Sequence, residues 1–342
     1  MVQLLRNKSK FNADLITLQA CDNLIVKYGA KVKRYKIPAL GENDIVAKEN
    51  VEVELEDGSV VETKLLVGAD GFRWGNKPIL TRSDCSKYCR SLVRQSIGSD
   101  YKSWDYPQMG LVATLNIHTK SGSNRTAWQR FLPSGPVALL PLSPDHSSLV
   151  WTVGKSEVKP LLEMSEETFV KKLNRALTSD LDQNQLVNSV TSSIRQLLGR
   201  EETRDQEPPP VVRTVANRAA FPLGFGHSVR YSGPRTALIG DSAHRLHPLA
   251  GQGVNLGFGD VTALVRLVEE SLRSGAVLGQ QELLCRYETE RQRHNLPTML
   301  GVDALQRLYS SQATPVVLAR SLGLMATDAV NPVKTLIMKH AG

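Results

Sequence analysis

The stretch from Ala237 to Asp260, "ALIGDSAHRLHPLAGQGVNLGFGD", limits the fold more than any other part of this chain. Arg235 to Ile239 is a short apolar run of strand length, and Gly240-Asp241 stands where it ends. Pro248 then breaks the chain. Gly251 and Gly253 bracket Gln252 just ahead of "VNLGFGDVTALVRLVEE", whose apolar residues recur at helical spacing. A buried strand that turns through glycines into a helix belongs to an open α/β sheet. In such sheets ligands sit beyond the carboxyl ends of the strands.

The residue types in this turn suit a ligand. Asp241 is placed to accept hydrogen bonds from ligand hydroxyls, and Gly240 lets the backbone approach closely. A helix that starts after two glycines offers unpaired N–H groups and the positive end of its dipole. Both stabilise negative charge that develops on a planar ring, as it does at the pyrimidine edge of a reduced flavin. Two other readings stay open on the residues alone. One is a tight strand-to-helix connection without a ligand. The other is a metal site from Asp241, His244 and His247, although Pro248 and the glycines leave little regular helix to bring the three together.

The chain has 342 residues, 41% hydrophobic and 22% charged, enough for one large domain or two interleaved ones and unlike a disordered or fibrous composition. The net charge is +8, but Lys and Arg are scattered among acids, which argues against a nucleic-acid footprint. An anionic membrane surface or an acidic partner suits the same excess. Cys21, Cys85, Cys89 and Cys285 are too few for a disulfide scaffold and fit a reducing compartment. Cys85 and Cys89 have no second Cys/His pair at ligand spacing, so no metal is expected.

Along the chain, "MVQLLRNKSKFNADL" reads as an amphipathic surface helix rather than a transit peptide, and "NLIVKYGAKVKRYKI" as a strand. The segment "VEVELEDGSVVETKLLVGADG" predicts a hairpin about Asp57-Gly58 whose return strand enters a core at Leu65-Leu66-Val67. Residues 108–153 alternate as an antiparallel sheet, a helix capped by Ser165 and Thr168 follows, and "EETRDQEPPPVVR" is a loop. A long helical tail closes the chain.

The core stretch "IGDSAHRLHPLAGQGVNLGFGD" resembles the second flavin-binding signature of the para-hydroxybenzoate-hydroxylase-like monooxygenases, and "LLVGADG" resembles part of another. The stretches "AWQRFLPSGPVALLPLS", "YETERQRHN" and "DALQRLYSSQATPVVLARSLGL" are similar to the ubiquinone-biosynthesis hydroxylases, in particular the mitochondrial branch acting at ring carbon five of the coenzyme Q precursor. The resemblance implies an α/β (α+β) fold: an FAD-binding domain with an antiparallel-sheet substrate domain and C-terminal helices. The expected division is 1–98 and 213–270 for the FAD-binding part, 99–212 for the substrate sheet and 271–342 for the helical region.

The resemblance further implies FAD as cofactor. Asp241 would lie on the ribityl chain, with Gly240 beside it. Pro248, Gly251, Gly253, Val254 and Asn255 would lie along the isoalloxazine, while Asp70, Gly71 and Arg94 would lie in the pyrophosphate and pyridine-nucleotide region. No single side chain is expected to act as a nucleophile. The implied reaction is hydroxylation of a polyprenylated benzoate or phenol with O2. Electrons would come from a ferredoxin and its reductase, within a coenzyme Q biosynthetic complex peripheral to the matrix side of the mitochondrial inner membrane.

Two departures qualify this. The G-x-G-x-x-G that opens the family fold occurs nowhere in these residues, and 73–90 reads as an insertion between Gly71-Phe72 and "SLVRQSIG". The expectation is therefore an N-terminally truncated FAD-binding part, from a partial, alternatively spliced or mispredicted product. The alternatives carried forward are an inactive form that binds partners of the complex, and a soluble NADPH-dependent phenol hydroxylase.

Overall fold

The computed structural model describes residues 2–6, 24–41, 44, 46–71, 91–119, 122–132, 134–178, 210–311, 313–329 and 335. The insertion read at 73–90, Cys21 and most of the proline-rich loop lie outside the described residues. The chain forms two compact units. One comprises Met1–Ser103, Gly226–Arg245 and Val254–Leu296; the other comprises Trp104–Phe225, Leu246–Gly253 and Pro297–Gly342.

In the first unit, β1 (Val2–Arg6) pairs parallel with β2 (Leu24–Tyr28), Val2 opposite Leu24 and Leu4 opposite Val26. The helix expected at the start of the chain is thus a strand over these residues. Five residues carry too little periodicity to choose a state, so the pairing partner chooses it. The run read as one strand from Asn23 is likewise two, because Gly29 takes φ 70° and turns the chain before β3 (Val32–Lys36). The hairpin is where the alternation puts it: β4 (Val51–Leu55) and β5 (Val60–Thr63) pair antiparallel about Gly58, at φ 84°. Asp57 accepts the Ser59 N–H at 2.9 Å. Val51, Val53 and Leu55 are buried on one side, against Val32 and Val61.

The chain then leaves the hairpin for another sheet. Here β6 (Leu66–Gly68) lies parallel to β13 (Thr236–Leu238), which also pairs with β12 (Ser232–Gly233). A one-turn helix, α1 (Leu92–Ser96), supplies Val93 to the core beneath this sheet. Tyr231, Leu238, Leu267 and Tyr287 complete that core, the last two carried on α4 (Gln252–Arg273) and α5 (Gln281–Ser310). Helix α4 turns Leu256, Asp260, Ala263, Leu264 and Leu267 inward and leaves Val254, Phe258, Val261, Val265 and Leu272 exposed.

The second unit is built on the expected antiparallel sheet. It comprises β7 (Tyr101–His118), β8 (Trp128–Leu132), β9 (Gly135–Ser143), β10 (His146–Gly154) and β11 (Val211–Ser228), in the order β11-β7-β10-β9-β8. Leu149 on β10 stands opposite Ala113 on one side and Leu139 on the other. Every second residue of β7 from Met109 to Ile117 is buried, the strand period that brings Leu111 and Leu115 to one face. Helices α2 (Lys155–Glu163) and α3 (Glu166–Thr178) cover that face with Val158, Leu161, Phe169 and Leu173. The Ser165 hydroxyl oxygen accepts the Thr168 N–H at 3.4 Å, as the capping pattern predicts. Beyond Pro297, α5 continues to Ser310, and α6 (Thr314–Ala329) follows. Among the described residues no helix is long and apolar enough to cross a membrane.

Candidate functional site: a clamped glycine-aspartate turn

Where β13 ends, the chain enters a tight turn, Gly240–Ser242, closed by the Ala243 N–H donating to the Gly240 carbonyl at 2.9 Å. Gly240 has φ 57°, the left-handed region in which a side chain is strained. The turn is held from several directions. The Gly240 N–H and His244 Nε2 both donate to Asp260 Oδ2, at 2.9 and 2.6 Å. The Ser242 hydroxyl donates to Asp70 Oδ1 at 3.1 Å, and the Ser242 carbonyl accepts from Arg94 Nη1 at 2.7 Å.

Asp70 and Arg94 are therefore brought to the turn, though their polar groups are engaged by the protein. The Asp70 carboxylate also accepts the Ser91 hydroxyl at 2.5 Å and the N–H groups of Leu92 and Val93 at 2.6 and 3.2 Å, which satisfies the start of α1. Arg94 is buried, with its guanidinium 3.8 Å from the centre of the Tyr101 ring. Gly71 lies flat against the turn: a Cβ there would stand 2.4 Å from the Asp241 carbonyl carbon.

Asp241 differs from all of these anchors. Its side chain is exposed, and no described residue donates to its carboxylate. Surrounding protein nevertheless crowds it, which raises the carboxyl above its ordinary range against the opposing charges of His244 and Arg245. An acceptor without a donor among the described residues, on an immobilised turn, is suited to gripping hydroxyl groups.

Leu246 to Gly253 belong to the second unit. Leu249–Gly251 makes one further tight turn, Gly251 takes φ 65°, and α4 begins at Gln252. In the second unit a Cβ built at Gly251 finds nothing within 4 Å, and one at Gly253 only Leu246 Cδ2 at 3.6 Å; in the first unit a Cβ built at Gly240 likewise finds nothing within 4 Å. Val254 and Asn255, the last two predicted contacts, are exposed on the first turns of α4. The metal reading finds no support: among the described residues no three His, Cys, Asp or Glu side chains are placed to hold an ion.

His247 is fully buried. Its Nδ1 accepts the Leu249 N–H at 3.2 Å, and its ring meets Tyr106 edge-on at 5.3 Å. Burial pushes this imidazole down to about 4. The unfolded chain, with an ordinary histidine near 6.5, binds the proton more readily, so stability falls as pH drops from about 6.5 to about 4. The loss is about 3 kcal/mol. Thermal unfolding followed across that window should show the slope in the parent and a flatter profile in His247→Gln; parallel profiles would refute this assignment.

Residues that the sequence reading left unassigned carry much of the architecture. Asp260, Arg291 and Asn295 form one buried cluster, and the Tyr287 hydroxyl on the same helix face donates to the Leu238 carbonyl at 2.7 Å. The signal was present in "YETERQRHN", where Tyr287, Arg291 and Asn295 recur every fourth residue. In the second unit, Asp303 accepts from Tyr106 at 2.5 Å, Trp104 at 3.2 Å and Arg307 at 2.7 Å. Burial alone raises Asp303, but these donors outweigh it and hold the carboxyl low. Phe131 of the "WQRFLP" stretch stacks on Tyr309 at 4.1 Å.

A family model described as FAD binding domain matches residues 88–298, a span that includes the turn, its anchors Arg94 and Asp260, and the start of α4. The chain belongs to this FAD-binding family. Its relatives include the mitochondrial ubiquinone biosynthesis monooxygenase COQ6 of Mus musculus, 45% identical over 85% of this chain and 58% of the relative. The Homo sapiens and Caenorhabditis elegans counterparts are each 43% identical, over 94% and 93% of this chain and 65% and 67% of theirs. The chain thus spans about three fifths of the mouse relative. Among solved structures, the fold is similar to p-nitrophenol 4-monooxygenase PnpA from Pseudomonas putida, with TM-score 0.63, 14% identity and coverage of 96% of this chain and 70% of that one. It is also similar to PqsL, a probable FAD-dependent monooxygenase from Pseudomonas aeruginosa, at TM-score 0.59, 19% identity and coverage of 94% and 80%. The cofactor of this family is FAD. In the first unit the open backbone at Gly240 and the free Asp241 carboxylate fit it, and in the second the open backbone at Gly251 does.

Proposed function

We propose that this chain acts as an FAD-dependent monooxygenase that hydroxylates the aromatic ring of a polyprenylated benzoate or phenol in ubiquinone biosynthesis. The observation that carries the reading is the turn itself: every anchor around Asp241 is bonded to protein, while no described residue occupies the Asp241 carboxylate, which is left open to a ligand. Asp241 binds ribityl hydroxyls of FAD as an acceptor. Pro248, Gly251, Gly253, Val254 and Asn255 serve the isoalloxazine, and the first amides of α4 stabilise negative charge there. Asp70, Gly71 and Arg94 serve the site by fixing the turn from behind. Bound FAD supplies the activation of O2 and the transfer of one oxygen atom to an electron-rich ring; the protein's part is orientation and exclusion of water.

The names of the curated relatives support a mitochondrial setting and an aromatic ubiquinone precursor as substrate. The finer reading places the protein on the matrix face of the inner membrane, reduced by a ferredoxin and its reductase within the coenzyme Q biosynthetic complex. The second reading is a partner-binding form of the same complex without catalysis. Titration of the purified chain with FAD separates the two. A stoichiometric complex with bound-flavin absorbance, followed by hydroxylation of a prenylated hydroxybenzoate on reduction and exposure to O2, is the expected result. No bound flavin after reconstitution would overturn the catalytic reading in favour of the second one.

A further inference from the structure

Asp260 is a wholly buried carboxylate with four donors converging on it. Oδ1 takes Arg291 Nε at 2.8 Å and Asn295 Nδ2 at 3.0 Å; Oδ2 takes the Gly240 N–H at 2.9 Å and His244 Nε2 at 2.6 Å. An ion pair that served only the core would need the Oδ1 side alone. The Oδ2 side reaches the backbone one residue before Asp241 and the side chain three residues after it, so a single carboxylate brackets the exposed acid from both ends. The anchoring helix is fixed in turn, because Arg291 Nη2 also donates to Asn295 Oδ1 at 2.8 Å and to the Leu256 carbonyl at 3.3 Å.

We propose that Asp260 is a positioning residue for cofactor binding: through Gly240 and His244 it sets where the Asp241 carboxylate stands, without touching the ligand. This rests on the FAD reading given above. Position matters because a hydrogen bond weakens steeply once donor and acceptor leave a narrow range of distance and angle. The Arg291 cation is the reason why a neutral replacement fails in a particular way. In Asp260→Asn the amide has one acceptor oxygen, and the buried guanidinium claims it. The amide NH2 then faces the Gly240 N–H, donor against donor, and the turn is pushed away. Removing the cation as well, in Asp260→Asn with Arg291→Gln, lets the oxygen return to Gly240 and His244 while the NH2 meets the side-chain amide oxygens at positions 291 and 295.

The test uses the full chain, with FAD affinity read by quenching of flavin fluorescence, the visible spectrum of bound flavin, and amide hydrogen exchange over 239–245. Asp260→Asn is expected to weaken FAD binding by about tenfold or more, the worth of one charge-assisted contact. It should also speed exchange in the turn, and the double variant should recover most of both. Equal affinity and exchange in parent and Asp260→Asn would overturn the positioning role while leaving the FAD reading intact. A double variant that binds no better than Asp260→Asn would also overturn it, because the role requires the side-chain oxygen to return to Gly240 and His244 once the cation is gone. A parent chain that binds no FAD defeats the FAD reading and this role with it. Should Asp260→Asn fail to fold, the double variant against the parent still decides.

Discussion

Asp241→Ala should leave a folded chain that has lost its flavin. The residue is exposed and accepts from no described residue, so its removal breaks no hydrogen bond among the described residues, and exposed positions of this kind change stability by about 0.5 kcal/mol or less. Crowding raises its carboxyl in the folded state, so the ionised acid is, if anything, a burden on the empty fold at neutral pH, and unfolding temperature should hold or rise slightly. Loss of two hydrogen bonds from ligand hydroxyls to a carboxylate costs roughly 3 kcal/mol, on the order of a hundredfold in Kd. FAD titration together with a thermal melt reads both quantities. Parent-like affinity in the variant would remove Asp241 from the site.

Gly71→Ala should lose flavin and stability together. The added methyl would stand 2.4 Å from both the Asp241 carbonyl carbon and its Cβ, and 2.5 Å from the Ser242 N. Two of those three atoms are backbone, in a turn that Asp260, Asp70 and Arg94 already hold, so the collision cannot be relieved by a rotamer change. Overpacking of this sort costs about 1–3 kcal/mol, and the displaced turn carries Asp241 with it. Thermal unfolding and FAD titration of Gly71→Ala should show the melt and the affinity falling together. A Gly71→Ala chain with parental melting and affinity would show that the turn moves freely.

The parts of this architecture that were legible in the sequence are those encoded locally. Glycine and proline fix backbone geometry at their own positions, so the strand end at Gly240 and the break at Pro248 could be read directly, whereas the helix expected after Gly253 begins two residues earlier, at Gln252. Alternation over β7 to β10 was long enough to specify strands. Over Val2–Arg6 it was not, and pairing with β2 overrode a helical reading. Gly29 was visible in the run from Asn23 to Ile37, but the periodic neighbours on both sides concealed its role as a turn. The clamp around Asp241 was illegible for a different reason. Its bonds join Ser242 to Asp70 and to Arg94 across more than a hundred residues, and polar side chains of that kind carry no period that announces a partner. Asp260 looked like an ordinary charge on a helix; only burial shows otherwise.

The turn at Gly240–Ser242 divides its labour cleanly, since the side chains that fix it are inward while Asp241, the residue we propose to grip the ligand, is outward. Such a division lets recognition be rewritten without rebuilding the scaffold. Exchanging the outward acid for another polar group would retune which ligand arm is held, while the buried supports continue to specify the same loop.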